Sequence, residues 1–227
     1  MNLHHILLIV RHELAVERRA AEVVGLVTPF ALAALLVLPI ALGIDQATTS
    51  RVGFAAFWMI SLLFGGQIAW RQATGHVRAV TDQVRLSGID PASAFFGRFL
   101  ANLILLVLLM TISLLGTIVL FSPPPIAAAH WLGAGVLLFA IGLAVIATVI
   151  SDLTIGLRSR GAIAALLVGP LAIPLVVAAA QVGQAATVSG QLRPGGILTW
   201  VLVLVLIDLI GIIAGVLTAR PLEETLG

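Results

Sequence analysis

Six stretches of about 20 residues run along this chain with almost no charge, and that pattern decides what it can fold into. They cover roughly 23–43, 52–70, 99–121, 131–150, 161–181 and 197–217. Five carry no Asp, Glu, Lys or Arg, and the sixth carries only Asp208. At about 1.5 Å per residue, about 20 helical residues cross a hydrocarbon layer of about 30 Å. No water reaches the backbone there, so each segment must close its hydrogen bonds as a helix. A membrane barrel would alternate apolar and polar residues over about ten positions, whereas these runs are apolar on every side. With 10% charged residues, the chain could not cover a water-facing surface. The sequence therefore reads as an all-α integral membrane protein with six transmembrane helices, forming one domain over 1–227.

Ahead of the first span, Leu3, Ile6, Leu7, Val10 and Leu14 recur at helical spacing, while His4, His5, Arg11, Arg18 and Arg19 fall mostly elsewhere. Residues 1–22 are expected to form an amphipathic helix in the membrane interface. A cleaved signal would place basic residues before a short apolar run; here the charges follow it, so the segment is expected to be retained.

Arginine placement sets the expected orientation. Arg11, Arg18, Arg19, Arg71, Arg78, Arg85, Arg98, Arg158, Arg160 and Arg220 fall on one side, and only Arg51 and Arg193 on the other. The positive-inside rule puts the first group, and with it both termini, in the cytoplasm. Trp58, Trp70, Trp131 and Trp200 lie near span ends, where interfacial anchors are expected. The 71–98 connection is the one cytoplasmic segment with room for a protein partner, and Gly75, Gly88 and Pro91 should break it into short helices. Pro123, Pro124 and Pro125 should stop the third span.

Several chemistries are excluded by residue type. There is no cysteine, hence no disulfide, thiolate metal site or thiol nucleophile. There is no lysine among the twelve basic residues, so no glycine-rich loop with a phosphate-gripping lysine. Any ATP must be hydrolysed by a separate subunit, and the chain itself is expected to be non-catalytic. A net charge of +2 without a basic stripe does not suit nucleic acid.

The remaining candidates lie within or beside the spans. Asp208 is an intramembrane carboxyl, and Gly211 and Gly215 follow on the same helix face as a Gly-x-x-x-Gly stripe. It serves either as a structural link in a packed interface or in a transport path. Pro170 and Pro174 stand one turn apart in the fifth span, as a gating hinge or as fixed packing kinks. His130, beside Trp131 at the outer edge, is a candidate heme contact. No histidine, serine and acid arrangement suggests a catalytic triad, and no metal site is expected.

At the fourth connection, Gly156-Leu157-Arg158-Ser159-Arg160-Gly161 leads into Leu166-Leu167-Val168-Gly169-Pro170-Leu171-Ala172-Ile173-Pro174-Leu175. This resembles the Gly-Leu-Arg/Lys-x-Gly-Gly approach and Leu-Pro-Leu-x-x-Pro-Leu core of the heme exporter protein B family, the CcmB-type permease of cytochrome c maturation. The chain departs from that family's pattern after the second span. Gln67 and Ala69-Trp70-Arg71 stand where an acid is expected, and Ala79-Val80-Thr81-Asp82 replaces Gly-x-Leu-Glu. Pro91 and the following Ala-Ser-Ala-Phe-Phe-Gly-Arg keep the family's character.

The resemblance implies an ABC-2-like permease of a bacterial inner membrane. Its implied partners are an ABC ATPase subunit, a heme-handling membrane subunit and a periplasmic heme chaperone, in a homodimer or multi-subunit complex. Heme would be substrate rather than bound cofactor, and ATP would act through the partner. Arg71, Arg78, Asp82, Arg85, Gly88 and Pro91 become the expected ATPase-docking residues of the coupling segment. The competing readings are an ABC-2-type exporter of a lipid, glycan or drug, an ion-coupled carrier using Asp208, and a non-transporting membrane scaffold.

Overall fold

The computed structural model describes residues 3–43, 45–75, 89–126, 128–154, 160–187 and 194–219. Most of those residues are helical, with no strand among them, and six of the helices are long and apolar enough to cross a membrane. The helices are α1 (Leu3–Ala20), α2 (Thr28–Leu42), α3 (Gln46–Gly75), α4 (Pro91–Phe121), α5 (Ala129–Leu153), α6 (Arg160–Thr187) and α7 (Pro194–Ala219).

α1 is joined to the first span by a sharp elbow. Ala21 takes a left-handed φ of 51°, its N–H donating to the Glu17 carbonyl at 2.6 Å. A π-helical turn over Val23–Val27 follows. Pro29 offers no N–H to the carbonyl of Gly25, which leaves the turn before it without its α-helical closure. The Thr28 hydroxyl adds a second donor to the Val23 carbonyl, at 2.8 Å, beside the Thr28 N–H. An alanine in the left-handed region costs about 1–2 kcal/mol. Ala21→Gly is therefore expected to stabilise the protein by about 0.5–1 kcal/mol after the extra chain entropy of glycine. Thermal unfolding in detergent checks this, with Ala21→Val moving the midpoint the other way.

Two helices extend past the spans read from charge. α3 continues to Gly75, and α4 starts at Pro91 rather than near Phe99. Proline suits that first turn, where an N–H would have no helical partner, and it holds Asp90 in an extended conformation (ψ 131°). At 31 residues, α4 is about 46 Å long, so its first two turns project beyond the hydrocarbon. It ends at Ser122, whose φ of 44° directs its N–H to the Ile118 carbonyl immediately before the three prolines.

α5 is the hub of the bundle and packs on α3, α4, α6 and α7. Its span is 61% buried, against 28% for the first and 17% for the last. Small residues make this possible: Gly135, Ala140, Gly142, Ala144 and Ala147 are all buried and let four neighbours approach closely. Phe57, Phe95, Phe121 and Phe139 fill the core between them.

Trp58 is not an interfacial anchor. It is 3% exposed, edge-on to Phe57 and Phe139 with ring centroids 4.9 and 5.6 Å away. Gly183 supplies its space, since a Cβ there would stand 2.7 Å from the indole nitrogen.

Candidate functional site

One end of the bundle gathers α1, the last turns of α3 and α5, and the first turns of α4 and α6. Gly97 brings α1 against α4, because a Cβ there would lie 2.7 Å from Ile9 Cβ. Glu17, on the buried side of α1, uses both carboxylate oxygens: Oε1 accepts the Val23 N–H at 2.5 Å, and Oε2 meets Arg71 at 2.6 Å. Arg71 also pairs with Glu22. One guanidinium at the end of α3 thus holds carboxylates on both sides of the Ala21 elbow. Next to it, the Trp70 indole N–H donates to the Gly161 carbonyl at 3.0 Å and ties α3 to the start of α6.

A second ion pair lies deeper. Arg98 meets Asp152 at 2.6 Å, with side chains 15% and 4% exposed. One turn further into the membrane, Asn102 donates from Nδ2 to Thr148 Oγ1 at 3.2 Å, and Thr148 donates to the Ala144 carbonyl at 2.8 Å. These pairs form two polar rungs between α4 and α5. Their buried charges are matched, as low-dielectric surroundings require.

The mid-membrane candidate has a different character. Asp208 is 5% exposed, and neither carboxyl oxygen finds a hydrogen-bond partner among the described residues. It faces Gly142 of α5, where a Cβ would lie 2.7 Å from Oδ1 and 2.5 Å from Leu175 of α6. Gly211 faces Val145, and Gly215 faces Phe95 and Val149, so the glycine stripe of α7 lies along α5 and the start of α4. Pro170 and Pro174 point outward from α6, both exposed, and Gly169 beside them has open space at its Cβ position.

At the opposite end, His130 is exposed on the first turn of α5, its ring 5.4 Å from that of Trp131. Among the described residues, no group of three or more His, Cys, Asp or Glu converges to hold a metal ion.

The expected docking residues divide. Arg71 is part of α3 and pairs with α1, and Pro91 opens α4. Arg78, Asp82, Arg85 and Gly88 lie outside the described residues, as do Arg158, Arg193 and Arg220. The sequence reading missed Glu17, Arg98 and Asp152. A signal for the last two existed: α4 and α5 are consecutive, antiparallel and briefly connected, so a charge starting one and a charge ending the other fall at the same depth.

No curated protein matches the chain. The CcmB protein family does match, over residues 4–216, which covers every described helix but the tips of α1 and α7. That match bears out the resemblance carried by the fourth connection and the paired prolines. The chain belongs to the CcmB, or heme exporter protein B, family and is accordingly a permease component in cytochrome c maturation.

Proposed function

We propose that the chain is the transmembrane half of an ATP-driven complex in the bacterial inner membrane, with both termini cytoplasmic. A separate ABC ATPase subunit docks on the 71–98 segment, and the bundle converts its motion into heme export or release of a heme-loaded chaperone. One observation carries this reading above the rest. The two helices that flank residues 76–90, α3 and α4, are each tied by an ion pair to a different neighbour. Arg71 grips α1, and Arg98 grips the hub helix α5. A pull on the connection would therefore reach the interfacial helix and the bundle core at once. The lysine-free composition supports an external motor.

Arg78, Asp82 and Arg85 are the docking charges in this reading, spaced four and three residues apart in the sequence. Replacing all three with alanine is expected to abolish co-purification of the ATPase while the permease still folds. Retained co-purification would refute the docking role.

A carrier driven by an ion through Asp208 is the rival of a different kind, and the burial of that carboxyl favours looking at it. Its surroundings favour packing instead, because Gly142 and Leu175 give it an apolar slot without a polar relay. If Asp208→Asn keeps full activity with no dependence on a proton gradient, the carrier is dismissed.

A further inference from the structure

The N-terminal helix has a nearly balanced sequence, with Glu13 and Glu17 against Arg11, Arg18 and Arg19. Folding separates those signs. Glu17 is buried against Arg71 and the Val23 N–H, and Glu13 is half-buried and engaged. Arg11, Arg18 and Arg19 are all exposed. The outward surface of α1 is therefore cationic, although its composition hardly shows it.

An apolar stripe borders this charge. Leu3 is 74% exposed and Leu7 65%, and Leu14, two turns on from Leu7, is half-buried against the core. Arg11 follows Leu7 by four residues, and Arg18 follows Leu14 by four, so each arginine stands one turn beyond a leucine on adjoining rows of the helix. Ile6, on the row next to Leu3, and Ile9 face the bundle, with Ile9 against Gly97. Val16, also exposed, lies across the helix from Leu7. The helix thus turns Ile6 and Ile9 to the protein and leaves Leu3 and Leu7 outside it, with Arg11 and Arg18 bordering the leucines and Leu8, 49% exposed, beyond them among polar residues.

We propose that α1 is an anionic-phospholipid docking element, in which Leu3 and Leu7 enter the acyl region and Arg11 and Arg18 hold headgroup phosphates. Arginine suits this role because its planar fork bonds phosphate oxygens in pairs. Its aliphatic stem can also run along the lipid surface while the charge reaches the headgroups. An acidic protein surface would satisfy the arginines but not the leucines, which favours lipid as the occupant.

The absence of cysteine makes the test clean, since one introduced cysteine takes a spin label at a single place. Full-length Leu7→Cys and Val16→Cys proteins are labelled and reconstituted in phosphatidylcholine nanodiscs with or without about one-third phosphatidylglycerol. Collision with oxygen against a water-soluble nickel chelate reports depth. The label at 7 should lie below the headgroups in the anionic bilayer, while the label at 16 remains in water. In the R11Q/R18Q background, the depth advantage conferred by phosphatidylglycerol should fall about five-fold per arginine removed, expressed as the buried-to-exposed ratio. High salt should reproduce that loss in the parent protein. The proposal fails if the label at 7 is equally deep in both bilayers and indifferent to R11Q/R18Q. It also fails if that label is water-exposed until an ATPase subunit is added, which would assign the face to protein.

Discussion

Asp152→Ala is expected to destabilise the protein by roughly 3–5 kcal/mol, because it leaves the Arg98 guanidinium charged and uncompensated at a site where it is 15% exposed. Arg98→Ala should cost a similar amount by stranding a carboxylate that is 4% exposed. The pair itself contributes much less than either deletion suggests, since both groups were desolvated to form it. Three variants separate these terms. The single deletions should lower the thermal midpoint in detergent by many degrees. The R98D/D152R exchange should recover part of that loss. The apolar R98M/D152L pair should come close to the parent in stability. Breaking the next rung with Asn102→Leu should cost only about 1 kcal/mol, the usual worth of a neutral hydrogen bond in a helical membrane bundle. Single deletions that melt with the parent would show that the ion pair is solvated.

The second large effect is expected at Gly142. A valine there places its first carbon 2.5 Å from Leu175 and 2.7 Å from Asp208, with two further methyl groups beyond it. Leu175 is fully buried and Asp208 nearly so, which leaves neither side chain free to retreat. Overpacking of this kind costs about 1–3 kcal/mol in a soluble core. Gly142→Val should reach the top of that range, because α5, α6 and α7 all meet at this point. Gly169→Ala provides the contrast. Its Cβ position is open, it is exposed, and alanine favours the helix, so that variant should be neutral or slightly stabilising. Leu175→Ala added to Gly142→Val should restore part of the lost stability if the clash is the cause. Thermal unfolding of the four proteins in detergent tests this. Equal midpoints for Gly142→Val and Gly169→Ala would overturn it.

Much of the fold was legible in the sequence because the bilayer imposes a coarse rule. A run of apolar residues long enough to span must be a helix, so six runs gave six spans. The stop at Pro123, the helix ahead of the first span and the approach of α7 to a neighbour along Gly211 and Gly215 were readable for equally local reasons. What could not be read depended on partners far apart in the chain. Arg98 looked like the edge of a loop because a hydropathy run ends at its first charge. In the folded protein Asp152 covers that charge and lets α4 begin two turns earlier. Arg71 looked like a free docking charge because Glu17 is 54 residues away in sequence. Trp58 was misread for the same reason. Its burial depends on an absent side chain at Gly183, which no local pattern around the tryptophan reveals.

The hub position of α5 has a consequence for biosynthesis. Ribosomes deliver the early spans to the bilayer before the helix on which they later lean has been made. Asn102 emerges 46 residues ahead of Thr148, about 2–9 s at ordinary elongation rates. Throughout that interval its amide, together with the Arg98 charge, must be sheltered by water at the membrane edge or by the insertion machinery. Slowing translation between codons 103 and 148 should therefore raise degradation of the nascent chain, and a leucine at 102 should relieve the dependence on synthesis speed.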